Sequence, residues 1–146
     1  MDKFFDILDK IDSLVSEPAQ TSIIEIKGII ESSEIYKIYF FDILESHDWL
    51  NILEMDGYFR PETIHQNKKW PQSIYLKRMA QSDDRAIKEN VLKIMLPLWQ
   101  THDLSIQYDF SESALAFPKD LACIWAQHAA NWLKQNKNIF DLLAEN

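Results

Sequence analysis

The sequence has little glycine, little proline and a single cysteine. Two glycines and five prolines in 146 residues are too few for a collagen-like, low-complexity or turn-rich all-β chain. Because Gly28 and Gly57 stand far apart, the chain has no glycine-rich loop of the P-loop or dinucleotide-binding kind. Since Cys123 is the only cysteine, it cannot form a disulfide within the chain. These absences favour a helical domain and exclude nucleotide binding through those two motifs.

Long apolar runs are also missing. The longest strongly apolar stretch, residues 35–44, is interrupted by Lys37 and Asp42 and is far shorter than the ~20 residues that cross a bilayer. The first six residues contain two aspartates and a lysine, unlike the apolar segment of a secretory signal. Together with the lone cysteine, these features predict a cytoplasmic protein that contacts no membrane.

The chain does contain enough apolar residues for a core. Apolar residues make up 47% of it and aromatic residues 12%, which excludes intrinsic disorder. A chain of this length is typical of one domain, here residues 1–146. That domain could consist of two halves, 1–57 and 70–146, joined by residues 58–69, the longest segment without helical periodicity.

The charge is acidic overall but unevenly distributed. A net charge of −8 disfavours binding to the phosphate backbone of nucleic acids. Residues 1–59 carry 13 acidic and 4 basic side chains, whereas residues 60–93 carry 4 acidic and 8 basic ones. The basic middle segment has two interpretations. Its cations either form a patch for an acidic partner or lie on solvated helix faces and pair with the acidic segments.

Apolar residues recur at the spacing of amphipathic helices through most of the chain. The pattern predicts about eight helices, beginning near residues 4, 22, 33, 46, 70, 82, 103 and 118, with a short terminal helix at 138–143. Ser22 and Glu25 have the spacing of a capping box. Ser33 and Ser46 are expected N-caps, and Gly57 is expected to end a helix in the left-handed conformation.

The pattern of residues 22–31 is compatible with either a helix or a strand. Serine and glutamate at capping spacing favour a helix, whereas five isoleucines are β-branched and favour a strand. Gly28 also disfavours a helix, because a glycine inside a helix costs about 1 kcal/mol relative to alanine.

Two segments resemble a known class of helical repeat. Residues 49–61, WLNILEMDGYFRP, and residues 70–80, WPQSIYLKRMA, are similar to HEAT-like or armadillo-like regions of bacterial multidomain proteins. The resemblance covers about a third of the chain. It implies a curved helical scaffold that presents one surface to a protein or to another domain, and it brings no catalytic residues. The expected fold is therefore all-α, with helical hairpins stacked as a short HEAT-like solenoid or packed as an irregular bundle.

No motif indicates a catalytic, cofactor or metal site. The four histidines are not spaced to place two ligands on one helix face, and no Cys-x-x-Cys is present. Cys123 and His128 are five residues apart, so they would not meet on one helix as nucleophile and base. Beside Ile124 and Trp125, Cys123 is expected to be a buried, inert side chain. We therefore predict no enzyme activity, no cofactor and no metal.

The five tryptophans suggest where partners bind. Trp49, Trp125 and Trp132 follow apolar helix faces and are expected in the core. Trp70 and Trp99 adjoin loops or prolines and are expected to be exposed contact residues. The predicted interaction residues are Tyr58, Arg60, Lys68, Lys69, Trp70 and Trp99. If Tyr58, Arg60 and Trp70 lie together, they form an aromatic and cationic patch suited to an acidic or aromatic-bearing peptide.

The sequence thus predicts a non-catalytic helical module for protein interaction or scaffolding, acting alone or within a larger bacterial assembly. Its partner would be another protein or a neighbouring domain, not nucleic acid or a membrane, and no feature specifies an oligomeric state. An alternative is a small acidic regulatory protein of the immunity or antitoxin type, in which residues 1–59 cover a basic target. An enzyme whose pocket is assembled from distant residues is a third hypothesis.

Overall fold

The computed structural model describes residues 3–65, 68–98 and 103–135, and this part of the chain is all-helical, without a β-strand. Its α-helices are α1 (Lys3–Val15), α2 (Gln20–Ile30), α3 (Glu34–Ile43), α4 (Asp48–Met55), α5 (Gln72–Ala80), α6 (Arg85–Met95), α7 (Leu104–Leu115) and α8 (Lys119–Gln135). Two short 3-10 helices are Pro61–Thr63 and Leu96–Leu98. The all-α prediction is confirmed, and residues 22–30 of the segment that left helix and strand open lie in α2, with Glu31 as its C-cap. The terminal helix predicted at 138–143 lies outside the described residues.

The chain divides into two compact units, Met1–Met79 and Ala80–Asn146. The sequence suggested that residues 58–69 join two halves, whereas the structure places this loop inside the first unit. The side-chain amide of Gln72 donates to the backbone oxygen of Tyr58 over 3.2 Å, so the loop closes on itself. The division between the units falls later, at the end of α5.

In the first unit, α1, α2 and α3 pack against one another as a bundle. Phe4 stacks on Tyr36 near the starts of α1 and α3, with 6.0 Å between the ring centroids. At the other end, Trp49 donates its indole N–H to the carbonyl of Val15 over 2.9 Å. Trp49 belongs to α4, so the direction of α3 is given by a further contact: the Tyr39 hydroxyl, three residues after Tyr36, donates to Asp12, eight residues after Phe4. Because the two contacts between α1 and α3 advance in the same sense along both helices, α1 and α3 run in the same direction, and α2, which connects them, runs against both. The largest fully buried side chains of this unit are Ile11, Ile23, Ile26, Phe40, Phe41, Leu44, Trp49, Leu53, Tyr75 and Leu76.

Helix α5 is joined to the end of α3 by two polar side chains. The Tyr75 hydroxyl donates to the carbonyl of Ser46 over 2.7 Å. Arg78 Nη1 donates to the carbonyls of Phe41 over 3.2 Å and Leu44 over 2.5 Å. The guanidinium therefore satisfies carbonyl oxygens that the last turn of a helix leaves without an intrahelical partner.

Two of the four predicted caps of the first unit, Ser33 and Gly57, are confirmed. Ser33 is the N-cap of α3 and accepts a hydrogen bond from the backbone N–H of Ile35. Ser46 accepts one from the backbone N–H of Asp48, but the N-cap of α4 is His47, so the prediction at Ser46 is one residue too early. Gly57 follows α4 with a φ of +86°, the left-handed conformation that glycine adopts without a steric penalty. The predicted capping box at Ser22 is wrong. Since α2 begins two residues earlier, Ser22 lies inside the helix and its hydroxyl donates to the carbonyl of Glu17 over 2.6 Å.

In the second unit, α8 packs on both α6 and α7. The side chains of Asp84 and Asp103 accept backbone N–H groups at the starts of α6 and α7, as N-caps do. Phe110 of α7 is fully buried and meets Trp125 of α8 edge-on, with 5.9 Å between the ring centroids. Trp125 is 5% exposed, so its predicted place in the core is confirmed.

Cys123 is exposed, and its predicted burial is wrong. Leu121 and Trp125 are the buried residues of this stretch of α8. Cys123 lies two positions from each of them, which is more than half a helical turn, and therefore points to the opposite side. The apolar neighbour Ile124 is itself 41% exposed, so an apolar sequence context did not indicate burial.

Candidate functional site

A cleft of about 780 Å³ lies in the first unit, between the α2–α3 corner and the loop that follows α4. The α2–α3 corner contributes Ile30, Glu31, Glu34, Lys37 and Ile38, and the loop contributes Asp56, Gly57, Tyr58, Arg60, Glu62, Thr63, His65, Lys68, Lys69 and Pro71. Four of the predicted interaction residues, Tyr58, Arg60, Lys68 and Lys69, therefore line a single cleft. All four come from residues 58–69, the twelve-residue segment without helical periodicity.

Gly57 sets the start of the loop. Its positive φ turns the chain out of α4, and the Arg60 side chain then lies directly across the glycine. A Cβ atom at position 57 would come within 3.2 Å of Arg60 Nε and Cζ. Glycine is required here both for its backbone conformation and for the space that it leaves to the guanidinium.

Trp70 is buried and hydrogen-bonded to the loop, and it is not an exposed contact residue. It is 5% exposed, and its indole N–H donates to the hydroxyl of Thr63 over 3.0 Å. The Thr63 hydroxyl in turn donates to the carbonyl of Arg60 over 2.6 Å. The predicted exposure of Trp70 is thus corrected, because a large apolar ring with one N–H donor is better placed in a core with a partner than in water. Trp99 lies outside the described residues.

The cleft carries charges of both signs. Its carboxylates are Glu31, Glu34, Asp56 and Glu62, and its cations are Lys37, Arg60, Lys68 and Lys69. Lys68 is 3.7 Å from Glu34, and Lys27 is 3.6 Å from Asp56. Within the described ranges, Arg60 and Lys69 have no carboxylate partner. These two cations remain available to an anionic group of a ligand.

Tyr58 forms part of the cleft floor with an unusual hydroxyl group. The residue is 8% exposed, and its hydroxyl oxygen is buried without a hydrogen-bond partner in the part of the chain that the structure describes. Burial raises the pKa of the Tyr58 phenol, and the charges of Glu31 and Asp56 add to the increase. The hydroxyl therefore stays protonated at neutral pH and retains an unused hydrogen-bond donor.

Lys37 is the cation that the sequence analysis missed. It is half-buried on α3, and this burial lowers the pKa of its ammonium group, while Glu34 and Glu31 oppose the change and Lys68 adds to it. A signal was present in the sequence: Glu31, Glu34 and Lys37 are spaced by three residues around the Ser33 cap. Glu34 and Lys37 are three apart on α3 and therefore share one side of that helix, whereas Glu31 ends α2 just before it.

The lining residues are suited to recognition by charge and hydrogen bonding. In the described ranges, the lining includes one imidazole, that of His65, and two hydroxyl groups, those of Tyr58 and Thr63. Among the residues described, no group of three or more histidine, cysteine, aspartate or glutamate side chains is placed to hold a metal ion.

None of the helices in the described ranges is long and apolar enough to span a membrane. No protein-family model, no curated protein and no solved structure matches the chain.

Proposed function

We propose that this chain is a non-catalytic helical interaction module that binds a segment of another protein, or of a neighbouring domain, in the cleft beside α3. The observation that carries the proposal is the cleft itself, which gathers Tyr58, Arg60, Lys68 and Lys69 against the α2–α3 corner. The module acts in the cytoplasm, and no nucleic acid or membrane takes part in the interaction.

The chemistry of the cleft favours a short acidic peptide segment. Its volume of about 780 Å³ lies within the range of ligand sites, but charged side chains outnumber apolar ones around it, unlike an apolar cofactor pocket. Arg60 and Lys69 can each pair with a ligand carboxylate, while Lys68 is already paired with Glu34. The carboxylates on the α2–α3 side disfavour a polyanion, because they would repel phosphates spread over the whole cleft.

The resemblance of residues 49–61 and 70–80 to HEAT-like repeats supports the same proposal. Gly57, Tyr58 and Arg60 belong to the first resembling segment and also line the cleft. A scaffold of this kind presents one surface to its partner, and in this chain we assign that surface to the loop after α4. Such a module would serve as one part of a larger bacterial assembly.

The experiment compares the peptide affinities of two variants, each of which carries two charge reversals. In the variant R60E/K69E, two cations without a carboxylate partner become acidic, and in the control K93E/K119E two exposed lysines outside the cleft are reversed. Binding is measured by fluorescence anisotropy with two peptides that share one phenylalanine, flanked by glutamates in one and by lysines in the other. We expect R60E/K69E to lower the affinity for the glutamate peptide about tenfold, because each altered charge pair contributes about 0.5–1 kcal/mol to the binding free energy.

The control should leave the affinity for the glutamate peptide unchanged within about twofold, since distant surface charges are screened by salt. Circular dichroism checks that both variants keep their helices. Equal weakening in the two variants would show that net charge alone drives binding. Equal affinity for the two peptides, or no affinity for either, would also contradict the proposal.

A further inference from the structure

A second surface of the first unit combines exposed apolar side chains with carboxylates. Phe5 at the start of α1 and Ile35 at the start of α3 each expose 61% of their area, and Phe4 exposes 37%. The ring of Phe4 packs edge-on against Phe5, with 5.5 Å between centroids, and stacks on Tyr36. We call the exposed side of these two helices the α1–α3 face, and these four side chains form its apolar end.

The other end of the α1–α3 face is acidic. The Tyr39 hydroxyl on α3 donates to Asp12 Oδ1 on α1 over 2.6 Å. This hydrogen bond is the main cause that raises the pKa of Tyr39 to about 12, with burial and the charges of Asp12, Asp9 and Asp42 contributing. All three carboxylates therefore lie near one phenol, and all three are exposed. Within this small area their charges repel one another.

The two helices carry a similar arrangement. On α1, Phe5 is followed by carboxylates four and seven residues later, which places all three on one side of the helix. On α3, Ile35 is likewise followed seven residues later by Asp42 on the same side. Since α1 and α3 run in the same direction, the apolar residues lie together at one end. Asp12 and Asp42 lie about 10 Å further along their helices, and Asp9 about 6 Å further along α1.

Of the three cations on α1 and α3, Lys3 stands at the start of α1, six residues and about 9 Å before Asp9, and the other two are directed elsewhere. Lys10 lies 4.0 Å from Glu25 of α2, on the opposite flank of α1. Lys37 lines the cleft on the other side of α3. The α1–α3 face therefore keeps an uncompensated negative charge beside exposed aromatic and aliphatic surface.

We propose that the α1–α3 face is a second docking surface, which binds a basic amphipathic segment of a partner protein through an apolar contact at one end and lysine or arginine pairs at the other. Charge complementarity selects this occupant. A second copy of the chain would bring a further acidic face, and anionic phospholipids or nucleic acids would be repelled in the same way. The proposal is independent of the cleft, since the two surfaces share no residue among those named.

Fluorescent helical peptides of defined pattern test the proposal on the full chain. The first has leucines on one face and lysines on the other, the second replaces the lysines by glutamates, and the third replaces the leucines by serines. We expect the lysine–leucine peptide to bind and the glutamate–leucine peptide not to bind. The lysine–serine peptide should bind at least about fivefold more weakly than the lysine–leucine peptide, because it lacks the apolar contact.

Two variants locate the binding site. D9N/D42N removes two charges but keeps the hydrogen bond between Asp12 and Tyr39, and its control E54Q/D83N removes two charges elsewhere. We expect D9N/D42N to lower the affinity for the lysine–leucine peptide at least about fivefold at low salt. The loss should be much smaller at high salt, where charges are screened. The control should change affinity by less than about twofold.

The apolar end is tested by the variant F5S/I35S. Its control is M55S/L115S, which alters two apolar residues that are more exposed than Phe5 and Ile35, at 67% and 81%. Only F5S/I35S should lower the affinity for the lysine–leucine peptide. The proposal is overturned by similar losses in a variant and its control, by equal binding of the lysine and glutamate peptides, or by no binding of the lysine–leucine peptide.

Discussion

Gly28 and Gly57 show how differently one residue type acts at two positions. Gly28 lies inside α2, where an added Cβ would meet no heavy atom within 4 Å. Gly57 lies after α4 with a φ of +86°, where an added Cβ would press against the Arg60 side chain at 3.2 Å. At the first position glycine only weakens the helix, whereas at the second it permits the turn that begins the cleft loop.

Alanine at the two positions should therefore change stability in opposite directions. We expect G28A to raise the free energy of unfolding by about 0.5–1 kcal/mol through helix propensity. G57A should lower it by about 1–2 kcal/mol, because alanine is disfavoured in the left-handed region. Urea unfolding followed by circular dichroism measures both. A stabilised G57A, or a destabilised G28A, would contradict this account of the two positions.

At the residue scale, sequence reasoning succeeded where the cause is local. Ser33 and Gly57 were predictable because a cap and a left-handed turn depend on the nearest few residues. The burial of Trp70 was not, since the partner of its indole N–H, the hydroxyl of Thr63, is seven residues away and is brought to the ring by the fold of the loop. The exposure of Cys123 was predictable from its spacing to Leu121 and Trp125, whereas its apolar neighbours wrongly indicated burial.

At the element scale, cations stabilise the ends of several helices. Lys88 of α6 donates through Nζ to the carbonyl of Ala80, the last residue of α5, over 3.1 Å. The same ammonium donates to the carbonyl of Ala116, just after α7, over 2.5 Å. One half-buried side chain thus meets the negative ends of two helices, where the macrodipole favours a cation.

Removing this ammonium should destabilise the second unit more than removing another lysine of α6. We expect K88M to lower the free energy of unfolding by about 1–3 kcal/mol, since two carbonyls lose a charged partner. K93M, at an exposed position of the same helix, should change it by less than about 0.5 kcal/mol. Chemical denaturation measures the difference, and equal values for K88M and K93M would contradict the role of Lys88.

The helices themselves were largely predictable, because their apolar spacing and cap residues act within each segment. The start of α2 was predicted two residues too late: the N-cap is Ala19, and the Ser22 hydroxyl donates to the carbonyl of Glu17, before the helix, instead of capping it. The cleft was predictable only in part. Its loop side came from an aperiodic basic segment, whereas Lys37 and Glu34 belong to a helix that sequence analysis treated as core.

At the scale of the whole molecule, the chain consists of two compact units, each with its own buried residues. The second unit depends on Phe110, which is fully buried and packs edge-on against Trp125. A large aromatic ring in this position contributes both buried apolar area and specific ring geometry.

F110A should lower the free energy of unfolding of the second unit by about 3–5 kcal/mol, because it leaves a cavity in the core. Hydrogen exchange of the amides in α6, α7 and α8 measures this loss directly. The same experiment tests the prediction of one domain over residues 1–146, which requires an equal loss of protection in α1 to α4. A loss below about 1 kcal/mol in α6 to α8 would contradict the assigned core.

The exposed position of Cys123 on α8 also makes the native chain ready for site-specific chemistry. A maleimide-linked fluorophore or a nitroxide spin label would attach to one side chain, since the sequence contains no other thiol. Attachment there leaves Leu121 and Trp125 in place on the buried side of the helix. The unmodified sequence therefore accepts a single optical or magnetic reporter, and energy transfer or electron spin resonance can follow the protein without any engineered mutation.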